Sequence, residues 1–287
     1  MFKNVSVFGF GLLGGSICKK LKELHGADVV LAAYGRNRSR LEPGLRDGTV
    51  DSIGGIEDAS LAGADLVIVS TPIDSSIDII ISILDSGELG DSALVIDVGS
   101  VKGEIIRRIA PHPRSGQFIG CHPMAGSEKT GYEHGTASLY EGSTVIITPH
   151  LANRNEPVAL VQRFWESLGA RTHITTPELH DRMVSYTSHL PHVAACALVS
   201  QLISIAGVAG AADVLQPFIG NGLRDTTRIA SGSPDMWRDI VISNADQIAA
   251  RIDSLIGELT RFREHIGDAD FLHGFFMKVK EYRDGMK

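Results

Sequence analysis

The sequence predicts an α/β N-terminal domain with a doubly wound parallel sheet, followed by an all-α C-terminal domain. Three observations lead to this prediction. Short apolar runs alternate with helical patterns in the first half of the chain, a glycine-rich turn follows the first run, and the second half contains long helical patterns only. The length of 287 residues suits two domains. We expect one domain over residues 1–176 and the other over residues 177–287.

Short apolar runs in the first half predict the strands. They are Val5–Phe8, Val29–Ala33, Asp65–Ser70, Ala93–Val98 and Phe118–Gly120. Helical spacing occurs between them in Leu12–Leu24, Ser75–Leu84 and Lys102–Ala110. Buried strands that alternate with helices are typical of parallel βαβ units. A further pair, Ser143–Thr148 and Arg171–Thr175, flanks the helical segment Pro157–Leu168 and is expected to extend the sheet.

The pattern becomes helical after Thr176. Long periodic segments cover Leu179–Ile205 and Trp237–Phe262. Thr176 is the expected N-cap of the first helix, and Pro177 is its expected first residue.

Charge and cysteine content narrow the function classes. Lys and Arg total 27 against 34 Asp and Glu, a net charge of −7 that is unfavourable for binding nucleic acid. The three cysteines have no paired spacing, which is typical of a reducing compartment. No apolar run approaches the roughly 20 residues needed to span a bilayer. We therefore expect a cytoplasmic protein without nucleic-acid or membrane partners.

The first turn is a candidate dinucleotide site. Gly9, Gly11 and Gly14 form a GxGxxG pattern directly after a strand and at the start of a helix. In a Rossmann-type fold these glycines allow a tight turn, close approach of the pyrophosphate and close helix packing. Leu12 and Leu13 complete the turn. A glycine-rich turn without a ligand is the alternative.

Other cofactor contacts are expected at the same edge of the sheet. Ser70, Thr71 and Pro72 follow the third predicted strand. Arg36 and Arg38 follow the second strand, where an NAD site normally has an acidic residue. Arginine pairs with a 2′-phosphate, so NADP is the favoured cofactor and NAD the alternative. Arginines of a solvated loop would look the same.

Two further strand ends carry candidate catalytic residues. His122 follows the strand Phe118–Gly120 and precedes Pro123, which favours an extended backbone in a glycine-rich loop. Such a histidine can act as a general base near neutral pH, although a structural role is equally compatible. Ser100 follows the strand Ala93–Val98. It can cap the next helix, or bond to His122 or to a nicotinamide, and these roles are compatible.

The helical half contains a histidine pair next to a serine. Ser188, His189 and His192 lie around Pro191, and the two histidines share a face if the segment is helical. Pro191 is expected to kink that helix. A metal site is the alternative, but no carboxylate or cysteine completes a ligand set, so substrate hydrogen bonding without a metal is favoured.

Arginine and aspartate are close together in the segment 220–230. Arg228 is a candidate ligand of an anionic substrate, since arginine binds carboxylates in a bidentate manner. Asp225 is expected to form a structural bridge between the domains.

These motifs, taken in order, resemble the prephenate and arogenate dehydrogenases of tyrosine biosynthesis. The motifs are GFGLLGG from Gly9, DVGSVK from Asp97, GCHPMAGSEKTG from Gly120, SHLPH from Ser188 and GLRDTTRIA from Gly222. The likeness extends from Val5 to about Phe262. It implies an NAD(P)-dependent oxidative decarboxylation, and a homodimer formed by the helical domain. The apolar segments 198–208 and 248–259 are consistent with such an interface.

The resemblance also implies roles for individual residues. His122 would accept the proton of the ring hydroxyl, and Ser100 would orient His122 and the nicotinamide. His192, with His189 and Ser188, would contact the substrate ring and its hydroxyl, while Arg228 would bind a substrate carboxylate.

Three questions stay open at this point. Arogenate has an amino group where prephenate has a keto group. Glu128, Glu133 and Glu141 are candidates for binding the ammonium form of that amino group. Another nicotinamide dehydrogenase with a helical half is disfavoured, because the catalytic lysine of the β-hydroxyacid dehydrogenases has no counterpart between Lys129 and Lys278. A non-catalytic dinucleotide sensor is also disfavoured, because it would not need His122, Ser100, His192 and Arg228.

Overall fold

A single sheet organises the N-terminal part of the chain. The computed structural model describes residues 2–126, 129–206 and 214–286. Its strands are β1 (Asn4–Phe8), β2 (Val30–Tyr34), β3 (Ser52–Gly54), β4 (Leu66–Val69), β5 (Leu94–Asp97), β6 (Phe118–Pro123), β7 (Thr144–Thr148) and β8 (Arg171–Ile174). They are ordered β3-β2-β1-β4-β5-β6-β7-β8. All neighbours are parallel except β6 and β7. The predicted doubly wound parallel sheet is confirmed, except that β7 runs antiparallel to β6.

Both faces of this sheet are buried. Along β4, Leu66 and Ile68 belong to one hydrophobic cluster, whereas Val67 and Val69 belong to the other. Successive side chains of a strand point to opposite faces, so the two clusters lie on the two sides of the sheet. This explains why the strands are continuous apolar runs rather than alternating ones.

Helices connect the strands and form the second half. They are α1 (Leu12–His25), α2 (Glu42–Arg46), α3 (Ile73–Asp85), α4 (Gly103–Ile109), α5 (Asn155–Ser167), α6 (Pro177–Val184), α7 (Leu190–Ala206), α8 (Asn221–Thr227), α9 (Pro234–Ser243), α10 (Ala245–Glu264) and α11 (Ala269–Asp284). Within the described residues after Thr176, no strand is present. No helix there or elsewhere in the described parts is long and apolar enough to cross a membrane.

The helical part begins as expected. Thr176 Oγ1 accepts a hydrogen bond of 3.2 Å from the Leu179 amide, and Pro177 is the first residue of α6. Between α6 and α7 the chain forms a π-helical segment, Ser185–His189, in which the Leu190 amide donates to the Ser185 carbonyl. Pro191 lacks an N–H for the regular ladder, and the wider π-helical turn lies just before it. The kink expected there stays a prediction.

Two local predictions are wrong in their extent, and two short elements were not predicted. Strand β6 continues to Pro123, so His122 lies within a strand that pairs with β7 and not in a loop. The segment Trp237–Phe262 is divided at Asn244 into α9 and α10. Strand β3 and helix α2 were not predicted, because the three residues Ser52–Gly54 form no apolar run.

The two parts of the chain meet at the start of α4. The Asp181 carboxylate, on α6, accepts hydrogen bonds from the amides of Lys102 (2.8 Å) and Gly103 (2.7 Å). Asp181 therefore caps α4 from the helical half, and the predicted cap by Ser100 is wrong. The two parts also meet through α9, whose residues Trp237 and Ile240 pack in the same hydrophobic cluster as the apolar side chains of α3.

Candidate active site

The glycine-rich turn after β1 is shaped by close contacts. Gly9 has φ of +90°, and a Cβ added there would overlap the Ser70 carbonyl oxygen. A Cβ on Gly14 would overlap the Gly9 carbonyl, which shows how closely α1 packs on the turn. Gly11 differs, because nothing lies within 4 Å of the position that its Cβ would take. The turn thus has backbone on one side and open space on the other.

That open space suits a dinucleotide. The N-terminus of α1 has no side-chain cap and no acidic residue in its first turn, so its first amides face the space in front of Gly11. Amides at a helix N-terminus bind phosphate well, and the residues present therefore fit the pyrophosphate of a nicotinamide cofactor. Leu12 and Leu13 form the first turn, and Ser70 lies beside Gly9.

The other predicted cofactor residues lie at the same edge. Thr71 and Pro72 follow β4 and lead into α3, and the Thr71 hydroxyl is 2.9 Å from Ser76 Oγ. Arg36 and Arg38 follow β2 and are exposed. Neither arginine forms an ion pair with any of the described residues.

His122 is held below the surface near this edge. It is 7% exposed, and its Nδ1 is 2.8 Å from Nε2 of His180 on α6. Burial, followed by the neighbouring His180 and Lys102, keeps the pKa of His122 well below its ordinary value. The imidazole is therefore neutral at physiological pH, as a proton acceptor must be.

A buried ion pair supports the strand that carries His122. Lys102 Nζ bonds to the Asp97 carboxylate and donates to the Cys121 carbonyl at 2.8 Å. The same carboxylate accepts from the Cys121 amide at 3.0 Å. Lys102 and Asp97 are both fully buried, so these contacts fix β5 against β6 directly before His122.

Ser100 lies in the loop between β5 and α4. Its side chain is half-buried and has no hydrogen bond to His122 or to any other described residue. The expected bond between Ser100 and His122 is thus not formed in this structure, and the hydroxyl remains available for another partner.

The two histidines of the helical part share one face, as predicted. The His192 ring stacks on Trp237 with centroids 3.5 Å apart, and His189 meets the same indole edge-on at 6.1 Å. His189 is buried, and its Nδ1 is 3.1 Å from the Asn244 amide nitrogen, while its Nε2 has no partner among the described residues. Ser188, in the π-helical segment, is half-buried.

The remaining predicted residues are less constrained. Arg228 begins a turn after α8, and Asp225 lies on α8; both are exposed, and neither forms an ion pair with the described residues. Glu141 is paired with Lys20 at 2.8 Å and Glu133 is exposed. Glu128 lies outside the described residues.

Four residues of this site escaped the sequence analysis as site residues. They are His180, Asp181, Trp237 and Asn244. The adjacent pair His180-Asp181 was the available signal, since an imidazole next to a carboxylate is a common arrangement around a catalytic histidine. Among the described residues, no three His, Cys, Asp or Glu side chains are grouped to hold a metal.

Together, the glycine turn and the buried neutral histidine define a dinucleotide-binding oxidoreductase of the Rossmann type. Comparison with known proteins identifies the family. The family model described as prephenate dehydrogenase, nucleotide-binding domain, matches residues 17–174, and the corresponding dimerization domain matches residues 176–278. The chain belongs to the prephenate dehydrogenase family.

Individual relatives agree with this assignment. Prephenate dehydrogenase of Bacillus subtilis is 32% identical over 100% of this chain and 76% of its own length. Cyclohexadienyl dehydrogenase of Zymomonas mobilis is 30% identical, with coverage of 100% and 97%. The structure of prephenate dehydrogenase from A. aeolicus, in complex with hydroxyphenyl propionate and NAD+, has a TM-score of 0.91 at 31% identity, with coverage of 100% and 99%.

Proposed function

We propose that this chain catalyses the NAD(P)-dependent oxidative decarboxylation of prephenate or arogenate in tyrosine biosynthesis. The observation that carries the proposal is the buried, neutral His122 near the sheet edge that holds the dinucleotide turn. In this reaction a hydride leaves ring C4 while the C4 hydroxyl gives up its proton. The bond from C1 to its carboxylate then breaks, its electron pair enters the ring, and CO2 is released.

His122 is the proposed base. It takes the proton of the C4 hydroxyl and can return it to the phenolate oxygen once the ring is aromatic. The bound nicotinamide supplies the hydride acceptor. Since aromatisation provides much of the driving force, orientation and one base suffice on the side of the protein.

The other residues position the substrate. Ser100 is free to orient the nicotinamide or the hydroxyl. The Nε2 of His189 is buried without a partner among the described residues, and it is proposed to contact the ring substituents. His192 is held by Trp237 and Ser188 lies next to His189, so both are proposed as substrate contacts. Arg228 is proposed to bind a substrate carboxylate. Asp225 is exposed and forms no bridge between the domains within the described residues.

Initial rates at 340 nm test the proposal, with prephenate and arogenate each combined with NAD and with NADP. Turnover with either substrate supports it, and the preferred substrate shows whether the site recognises the ammonium group of arogenate. Absence of turnover in all four combinations, with a dinucleotide still bound, would contradict it and favour a sensor.

We also propose that NADP is preferred over NAD. Arg36 and Arg38 are exposed, follow β2 directly and have no ion pair within the described parts of the chain. No acidic residue occurs between Tyr34 and Glu42 to bind a ribose 2′-hydroxyl. A hydrogen bond to a phosphate contributes about 1.5–3 kcal/mol, which corresponds to roughly tenfold or more in affinity.

A pair of variants tests this preference. Arg36→Ala should raise the KM for NADP by about tenfold and leave the KM for NAD nearly unchanged. The control is Arg154→Ala, which removes an exposed arginine at the start of α5. An equal effect of Arg36→Ala on both cofactors would refute the proposed role.

The proposed assembly is a cytoplasmic homodimer formed by the helical domain, residues 177–287. Ile256 and Leu259 of α10 and Phe276 of α11 are large apolar side chains that are more than half exposed. Residues 207–208 of one predicted interface segment lie outside the described residues. Sedimentation should give a dimer, and Leu259→Glu should weaken it; a monomeric wild type would contradict the proposal.

A further inference from the structure

We propose that Asp181 and His180 hold His122 in the tautomer whose proton is on Nδ1 and whose Nε2 carries a free electron pair. The two residues belong to the helical half, and His122 belongs to the sheet. They would act as positioning residues through His122. This inference rests on the proposed role of His122 as the base.

The direction of the hydrogen bonds follows from Asp181. One carboxylate oxygen accepts from the Lys102 amide at 2.8 Å, and the other accepts from the Gly103 amide at 2.7 Å. The first oxygen is also 2.7 Å from His180 Nδ1. An ionised carboxylate is only an acceptor, so Nδ1 of His180 carries a proton and donates it.

The protonation of His180 determines which nitrogen of His122 carries a proton. His180 is 1% exposed, and a neutral imidazole with a proton on Nδ1 has an acceptor at Nε2. That Nε2 is 2.8 Å from Nδ1 of His122. For a hydrogen bond to form there, His122 must donate from Nδ1, which leaves its Nε2 as the proton acceptor. The partner of one ring nitrogen thus determines the state of the other.

The Asp181 carboxylate has two roles. Asp181 caps α4, which follows the Ser100 loop, and it orients His180. The base therefore has its reactive tautomer only while α6 is packed on α4. The opposite arrangement requires a proton on both nitrogens of His180. His122 would then accept at Nδ1, carry its proton on Nε2, and be unable to take a proton there.

Nuclear magnetic resonance of the full-length protein distinguishes these arrangements. Protein labelled with 15N-histidine gives ring nitrogen shifts that identify each tautomer, and His122→Asn assigns the signals of His122. We expect a proton on Nδ1 of His122 in the wild type. A proton on Nε2 would overturn the inference.

Variants at His180 separate positioning from simple structural support. In His180→Gln the side-chain carbonyl can accept from His122 Nδ1, so the His122 tautomer should be retained. In His180→Leu no acceptor remains, and the tautomer should become mixed. Retention of pure Nδ1 protonation in His180→Leu would show that His180 does not set it.

Kinetics give a second readout. His180→Leu should lower kcat by about tenfold or more with little change in KM, and His180→Gln should recover most of the loss. The matched control is Asp85→Asn, which removes the charge from an exposed contact of 3.0 Å with His112. Equal kcat values for His180→Leu and His180→Gln would contradict the inference.

The two proposals fail in different ways. Absence of turnover by the wild type on both substrates removes the proposed function, while the tautomer spectrum still reports on Asp181 and His180. Normal turnover with Nε2 protonation of His122 removes this inference alone.

Discussion

Acid should destabilise the folded protein partly through His189. This side chain is buried against Trp237 and Asn244, and burial lowers its pKa from 6.5 to about 4. The unfolded chain binds the proton more tightly, so protonation favours unfolding as pH falls below 6.5. The contribution of His189 to stability is thus complete above pH 6.5 and is lost towards pH 4. The total is about 3 kcal/mol, of which about 2 kcal/mol is lost by pH 5.

Urea unfolding at pH 8 and pH 5, followed by circular dichroism, measures this effect. His189→Asn cannot titrate, and its side-chain oxygen can still accept the hydrogen bond from Asn244. This variant should lose about 2 kcal/mol less than the wild type between the two pH values. His134→Asn, at an exposed histidine, should behave like the wild type. An equal loss in His189→Asn and the wild type would show that His189 does not cause this pH dependence.

Three further substitutions test other parts of the structure. Gly9→Ala places a methyl group against the Ser70 carbonyl in a residue with φ of +90°. Dinucleotide binding, measured by fluorescence titration, should be abolished while helix content is kept. An unchanged Kd would contradict this. Lys102→Met leaves Asp97 buried without its cation. The free energy of unfolding, measured with urea, should fall by about 3–5 kcal/mol. A decrease below about 1 kcal/mol would contradict the importance of the pair. Thr176→Ala removes the cap of α6 and should cost about 1 kcal/mol, which Thr176→Ser should restore; equal stability of the two variants would show that the cap does not contribute.

Local sequence signals predicted most of the sheet and the entry to the helical half. The apolar runs that became β1, β4 and β5 are buried on both faces, and such strands are recognisable without knowledge of their neighbours. Thr176 and Pro177 mark the start of α6 through contacts within one turn. These features depend on residues close together in the sequence.

Features that depend on distant contacts were not predicted. His122 belongs to β6 because that strand continues as long as it pairs with β7, more than twenty residues later. The contact between His122 and His180 joins residues 58 positions apart, and the cap of α4 by Asp181 spans 78 or 79 positions. Apart from the adjacent pair His180-Asp181, nothing in the sequence near these residues indicates such partners. The split at Asn244 is similar, because its side-chain amide bonds to Asp181 of α6 and to His189 of the π-helical segment.

His122 is the proposed base of the oxidative decarboxylation. The most direct measurement compares wild type and His122→Asn in the 340 nm assay with the preferred substrate, together with titration of the cofactor. A general base contributes about a hundredfold to ten thousandfold, so kcat should fall by that factor while the Kd of the cofactor is unchanged. A kcat within about tenfold of the wild type would contradict the assignment of His122.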